Sequence, residues 1–332
     1  MLVLTQADVQ RLLPMDACMD VMTDALKSLA RGDAVLPLRH IHRLPDAGGL
    51  LALMPAYVVT LQATGLKAIT VFPGNHGTTF DSHQGAVLLF DTLHGQLQAV
   101  VDATAITAIR TAAVSGVATR ALARPNATVL AILGSGVQAR SHLTAMTHAR
   151  RITEVRVWSR DIEHAQRFAH RESARHGLPV LVHDSVQAAV DGADIICTTT
   201  ASTRPVLHGA WIASGTHVNA VGASVATSRE LDTPAVVGSR VIVDRRESAL
   251  NEAGDIIEPL REGAIDATHI AGELGEVLLG RVVGRQTPAE VTLFKSLGLA
   301  VEDLAAAHYV HQQALALGVG VTVELGGARD DG

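Results

Sequence analysis

The sequence predicts an α/β protein in which a doubly wound parallel sheet is joined to a second, α+β region with an antiparallel sheet. Three features carry that expectation. From Asn126 onward, short apolar runs alternate with helical segments, as parallel strands covered on both faces do. Between Leu36 and Val101 the pattern is instead a series of short strands broken by turn residues. Finally, Val129-Leu130-Ala131-Ile132-Leu133, apolar throughout, runs into Gly134-Ser135-Gly136-Val137-Gln138-Ala139 and a helix from Arg140 to Ala149.

That Gly-x-Gly-x-x-Ala turn stands in the strand-to-helix context its chemistry requires. Gly134 permits a tight bend, Gly136 keeps a Cβ away from an approaching pyrophosphate, and Ala139 lets the helix lie close to the strand. The first N–H groups of the helix then face the phosphates. A dinucleotide site is therefore expected at Gly134, Ser135, Gly136, Val137 and Gln138.

In chain order, Thr5 to Gly32 reads as two helices, the second restarting at Pro14-Met15-Asp16, with Gly32 as its stop. Strands are expected at Leu36–Leu44, Leu50–Val59, Ala63–Phe72, Gly85–Asp91 and Gln96–Val101, with a hairpin turn at His94-Gly95. Arg39, His42, Arg43, Lys67, Ser82 and His83 are polar where a sheet core has no need of them. Thr104 to Ala123 is an alanine-rich helix in which Arg110 is the one charge of the first two turns. An arginine among alanines either snorkels to solvent or meets an anion, a carboxylate or a phosphate.

Further strands are expected at Glu154–Trp158, Val180–Val182, Ala193–Thr199, Thr216–Val221, Val241–Val243 and Val291–Phe294. Helices are expected at Ile162–His176 and Ser185–Val190. Leu299 to Leu317 is a last long helix and Gly318–Gly332 a short tail. At the end of the second strand of a dinucleotide fold an acidic residue favours NAD. Here Ser159-Arg160 follows Trp158, a hydroxyl and a guanidinium that suit the 2′-phosphate of NADPH. Asp161 keeps NADH in play, or caps the next helix.

Hydrophobic residues make up 48% of the chain, yet no apolar run reaches the roughly 18–20 residues of a membrane span. The N-terminus lacks the basic and apolar regions of a signal peptide. Cys18 and Cys197 read as buried free thiols, which fits a cytoplasmic protein. A net charge of −6 without charge blocks argues against a nucleic-acid surface. The 16 histidines are scattered without metal-ligand spacing, so no metal site is expected.

Four ordered segments resemble the ornithine cyclodeaminase/mu-crystallin family. They are Ile106–Ala113, Leu133–Ala139, His217–Ser224, and Thr292–Gly298 together with Ala300-Val301-Glu302-Asp303, within a similarity running from Leu36 to Tyr309. The resemblance implies a Rossmann domain at 119–299 and a substrate and dimerisation domain at 1–118 and 300–332, with the active site in the cleft and a homodimer as the assembly. It also implies that Arg39, Lys67 and Arg110 hold the carboxylate of an amino or imino acid, Lys67 beside the substrate nitrogen. Ser82, His83, Ser135, Val137, Gln138, Ser159, Arg160, Thr200 and Val221 align with cofactor-contacting residues of the mu-crystallin branch. Thr111, Ala201 and Lys295 are placed at the cofactor as well.

Where cyclodeaminases carry an aspartate, after Asn219-Ala220-Val221-Gly222, this chain has Ser224. Together with Ser159-Arg160, that departure is similar to the mu-crystallin branch. It implies NADPH-dependent reduction of a cyclic ketimine carboxylate, Δ1-pyrroline-2-carboxylate or Δ1-piperideine-2-carboxylate, to L-proline or L-pipecolate. Lys67 or Glu252 is the expected source of the imine proton. The alternatives are an ornithine cyclodeaminase with bound NAD, an alanine dehydrogenase-like enzyme, and a binding protein for NADPH and a small acid.

Overall fold

A computed structural model describes residues 1–75 and 78–326. The chain forms two compact units, Met1–Arg110 with Leu299–Gly332, and Thr111–Gly298. The division falls inside the long helix that contains Arg110, earlier in that helix than expected.

The first unit opens with β1 (Leu2–Leu4), α1 (Gln6–Leu12) and α2 (Met15–Arg31). Thr5 and Asp8 cap α1 reciprocally, and Gly32, at φ +86°, ends α2 where expected. Next come β2 (Ala34–Val35), β3 (His40–Leu44), β4 (Gly49–Val58), β5 (Ala63–Val71), β6 (His83–Asp91) and β7 (Leu97–Asp102). The expected strand at Leu36–Leu44 is thus shorter, beginning at His40; Pro37 has no N–H to give to a ladder. Asp91 holds the β6–β7 turn by accepting from the backbone N–H groups of Leu93, His94 and Gln96. β7 leads into α3 (Ala103–Leu122), whose first turn donates from Ala105 N to Asp102 at 2.7 Å.

The second unit contains β8 (Val129–Leu133), α4 (Val137–Ala149), β9 (Glu154–Trp158), α5 (Ile162–His176), β10 (Val180–Val182), α6 (Val186–Val190) and β11 (Ile195–Thr198). It continues through β12 (His217–Ala220), α7 (Thr233–Val237), β13 (Arg240–Val243), α8 (Arg246–Glu252), α9 (Gly254–Arg261), β14 (Ile270–Glu273), α10 (Leu274–Leu278) and β15 (Thr292–Lys295). All pairings in this sheet are parallel, in the order β10-β9-β8-β11-β12-β15-β13-β14. The strand order reverses between β8 and β11, the switch point at which such sheets bind ligands beyond their carboxyl ends. β8 reads as a continuous apolar run because both its faces are buried, whereas β9 alternates between buried and half-buried residues.

The chain then returns to the first unit with α11 (Ala300–Leu317) and β16 (Val321–Thr322). The strands expected between Leu36 and Val101 pair antiparallel. To them the fold adds β1, parallel to β7, and β16, drawn from the tail and antiparallel to β1; residues 327–332 lie outside the described residues.

α11 packs on β4, β5 and β6 and on α2. Alternation along β5 turns Ala63, Gly65, Lys67 and Ile69 to the buried side and Leu66 and Ala68 to the other. Gly65 lets α11 approach, since a Cβ there would lie 2.7 Å from Leu304 Cδ1 and 2.6 Å from the Leu88 carbonyl oxygen. On the opposite face Pro55, Leu66, Leu88 and Val100 line up in register across four strands, each half-buried.

Candidate active site

Lys67 stands in mid-strand, paired with Met54 on β4 and Val87 on β6, and is 3% exposed. A lysine placed there needs an anion, and α11 supplies one. Asp303 Oδ2 lies 2.7 Å from Lys67 Nζ, while its Oδ1 accepts from Arg110 Nε at 2.8 Å. The neighbouring Glu302 accepts through Oε2 from Arg110 Nη1 at 2.9 Å and from the Leu299 backbone N–H at 3.1 Å. Both acids are wholly buried and Arg110 is 4% exposed. Arg110 therefore neither snorkels nor waits for a ligand alone. It meets carboxylates, and they belong to the chain itself.

Buried charges of this kind persist only when paired and hydrogen-bonded. Their electrostatics adjust the lysine. Burial lowers the Lys67 pKa to about 8, with Asp303 opposing the shift and the like charges of Arg110 and Arg39 adding to it. Lys67 is therefore an ammonium at neutral pH that gives up its proton far more readily than a solvated lysine. Arg39 is half-buried on the segment between β2 and β3. At the start of β6, Ser82 Oγ and His83 Nδ1 are 3.0 Å apart, and the His83 carbonyl accepts from Thr104 Oγ1 of α3 at 2.9 Å.

In the second unit the glycine turn has the expected form. Gly134 takes φ +121°, and a Cβ there would strike Thr199. Gly136 is the N-cap of α4 and brings no side chain to the first-turn N–H groups; a Cβ on it would meet nothing within 4 Å. Ala139 is buried against the sheet. These features fit a pyrophosphate at the helix N-terminus. Ser135 Oγ donates to Ser159 Oγ at 3.0 Å, joining the ends of β8 and β9, and Arg160 beside them is exposed. Val137 is exposed, Gln138 half-buried and Thr111 buried.

Thr200 follows β11, its N–H and hydroxyl both donating to Glu230 at 2.7 Å, with exposed Ala201 after it. Val221 is buried past the end of β12, and Ser224 is half-buried on the same loop. Glu252 is half-buried at the end of α8.

Asp161 is the N-cap of α5, its Oδ1 accepting from Glu163 N at 2.9 Å and His164 N at 3.3 Å, so of the two roles the sequence left open the helix cap is formed. One expectation is corrected. Lys295 is 0% exposed and bonds to Asp255 Oδ2 at 2.9 Å and the Ala223 carbonyl at 2.6 Å, so it supports a loop instead of touching a cofactor. Residues passed over by sequence reasoning are Glu302, Asp303, Glu230 and Asp255. One signal was available for the first two: adjacent acids in a helix whose first eight residues are otherwise apolar have to be paired if that part is buried. A groove of about 910 Å³ beside the N-terminal end of β13, lined by Val237, Arg240, His269 and Glu290 among others, contains none of the expected site residues.

The second unit defines a class, the dinucleotide-binding α/β proteins, and the first adds a buried lysine–arginine pair held by two acids. The chain belongs to the ornithine cyclodeaminase/mu-crystallin family, whose model matches residues 1–317. It is 44% identical over 283 residues to the ketimine reductase mu-crystallin of Mus musculus, covering 84% of this chain and 85% of that protein. The Δ1-pyrroline-2-carboxylate reductase of Thermococcus litoralis, solved with NADH and L-proline, superposes with a TM-score of 0.95 at 38% identity, over 97% of this chain and 100% of that one. An archaeal alanine dehydrogenase dimer with bound NAD superposes with a TM-score of 0.92 at 32% identity, over 98% and 99% of the two chains.

Asp303→Asn removes the carboxylate shared by two buried cations. It is expected to lower the unfolding free energy by about 3–5 kcal/mol, as broken buried pairs do. Urea denaturation measures this, and a loss within error of zero would show that the pairing is dispensable to the fold.

Proposed function

We propose that the chain reduces a cyclic ketimine carboxylate, Δ1-pyrroline-2-carboxylate or Δ1-piperideine-2-carboxylate, to L-proline or L-pipecolate. The coenzyme is a reduced nicotinamide dinucleotide, NADPH in preference to NADH. The observation that carries this reading is Lys67, a buried ammonium with its pKa lowered to about 8, fixed beside Arg110 by one carboxylate. The mouse and Thermococcus relatives, named for ketimine and Δ1-pyrroline-2-carboxylate reduction, support it.

The coenzyme supplies a hydride to the imine carbon, and the imine nitrogen must carry a proton. Lys67 provides or maintains that proton, since its ammonium is populated at pH 7 yet acidic enough to share. Arg110 and Arg39 receive the substrate carboxylate, the guanidinium plane of Arg110 being set in advance by Glu302 and Asp303. Ser224, neutral where cyclodeaminases carry an aspartate, adds no second negative charge near an iminium. Glu252, half-buried at the end of α8, is the second candidate for the proton; Lys67 is preferred as a buried ammonium with a lowered pKa. Gly134, Gly136 and the first turn of α4 hold the pyrophosphate, and Ser159 with Arg160 holds the 2′-phosphate.

The half-buried apolar row Pro55, Leu66, Leu88 and Val100 supports a homodimer formed through the outer face of the first unit's sheet. The two buried free thiols, Cys18 and Cys197, suit a reducing cytoplasm. Among the described residues no helix is long and apolar enough to cross a membrane.

With either imine carboxylate, consumption of NADPH is expected, and none with L-ornithine. The kcat/KM should hold level below about pH 8 and fall tenfold per unit above it as Lys67 loses its proton. Lys67→Met should cost about 10²–10⁴-fold in rate with nucleotide affinity unchanged. Ammonia release from L-ornithine without coenzyme consumption, or a profile level far above the lysine's midpoint, would contradict the reading.

Arg160→Ala should weaken NADPH by about tenfold or more while changing NADH little; equal losses for both would remove the 2′-phosphate role. Leu66→Glu should convert a dimer to monomers in sedimentation experiments, and an unchanged dimer would place the interface elsewhere.

A further inference from the structure

We propose that Lys295, Asp255 and Glu230 form a buried positioning relay for the nicotinamide half of the nucleotide site; this rests on the reading of the second unit as dinucleotide-binding. The three side chains are 0% exposed. Glu230 Oε1 accepts from Thr200 N and Thr200 Oγ1, both at 2.7 Å, and Oε2 accepts from Thr198 Oγ1 and Gly222 N, both at 2.6 Å. Four donors meet two oxygens, so an ionised carboxylate has its acceptor capacity filled.

The backbone N–H groups of Glu230 and Leu231 donate in turn to Asp255 Oδ1 at 2.8 and 3.0 Å. Asp255 Oδ2 binds Lys295 Nζ at 2.9 Å, and that ammonium returns to the Ala223 carbonyl at 2.6 Å. The circuit closes on the loop where it began.

Its position gives it meaning. Thr198 ends β11, Gly222 and Ala223 follow β12, and Lys295 ends β15; these three strands are neighbours in the sheet. They form the second half of the doubly wound order, the half that faces the nicotinamide nucleotide, whereas β8 and β9 carry the glycine turn and Ser159-Arg160 for the adenosine half. The loops also touch directly, since a Cβ on Gly222 would lie 2.1 Å from the Thr200 carbonyl oxygen. Two acids and one lysine are a costly way to fill a core that apolar side chains fill more cheaply. What they provide is fixed backbone at three strand ends, including the loop that carries Ser224. The relay touches neither coenzyme nor substrate; it acts through Thr200 and residues 222–224.

The test is equilibrium binding of NADPH and of 2′,5′-ADP, which carries only the adenosine half, to wild type, Glu230→Gln and Thr198→Val. Glu230→Gln points an amide N–H₂ at groups that donate. It should weaken NADPH by about tenfold or more and leave 2′,5′-ADP within about twofold. Thr198→Val keeps the side-chain volume and removes one donor, so it folds even if the first variant does not; it should show a smaller loss, about threefold, with the same selectivity. Equal losses for both ligands would mean general loosening of the unit, and unchanged NADPH binding would mean no positioning role; either overturns the relay. Wild type that binds neither ligand overturns the dinucleotide reading itself, before any variant is compared.

Discussion

One carboxylate, Asp303, binds the ammonium of Lys67 through one oxygen and the guanidinium of Arg110 through the other. Much of the first unit is arranged to make that contact possible. A strand has to turn a lysine inward, an alanine-rich helix has to bury an arginine, and α11 has to lie close enough over Gly65 for its first turn to reach both. The acids at the start of α11 also sit where a helix tolerates negative charge best. Burial withdraws the lysine from water and makes it a better acid, and Asp303 keeps it charged at neutral pH. A buried ammonium of this kind is obtained by balancing burial against a partner, since burial alone favours the neutral amine.

The second unit handles its charges differently. Its glycine turn brings no side chain to the first N–H groups of α4, while Lys295, Asp255 and Glu230 bond to one another and to the loops beyond β11 and β12. In one unit buried ions are held close to where chemistry is expected; in the other they hold backbone. Lys67 and Lys295 are both buried and both paired with an aspartate. The aspartates differ in their second partner: that of Lys67 also holds Arg110, and that of Lys295 also accepts from backbone N–H groups.

Where local chemistry dictates structure, the chain was legible. The glycine turn, the apolar β8, the Gly32 stop and the alternation that defines a doubly wound sheet all depend on residues adjacent in sequence. Asp161 was ambiguous between ribose and helix cap, and only backbone coordinates decide that. Arg110 was harder still, because its partners lie 192 and 193 residues away. No spacing rule links Arg110 to Asp303, or Glu230 to Thr200. β1 and β16 pair with each other from opposite ends of the sequence, a contact that no local pattern announces. The family resemblance supplied roles for Arg39, Lys67 and Arg110; the acids that restrain two of them emerged from the fold.

The central claim is that burial and like charges, opposed by one aspartate, bring the Lys67 pKa down to about 8, so that near that pH an arriving carboxylate draws the remaining amine into the ammonium form. Calorimetric titration with pyrrole-2-carboxylate, a planar acid that cannot be reduced, tests this directly at about pH 8, in buffers of different ionisation enthalpy. Uptake of a substantial fraction of a proton on binding is the predicted result, absent in Lys67→Met. Binding with no proton uptake at that pH would contradict the account.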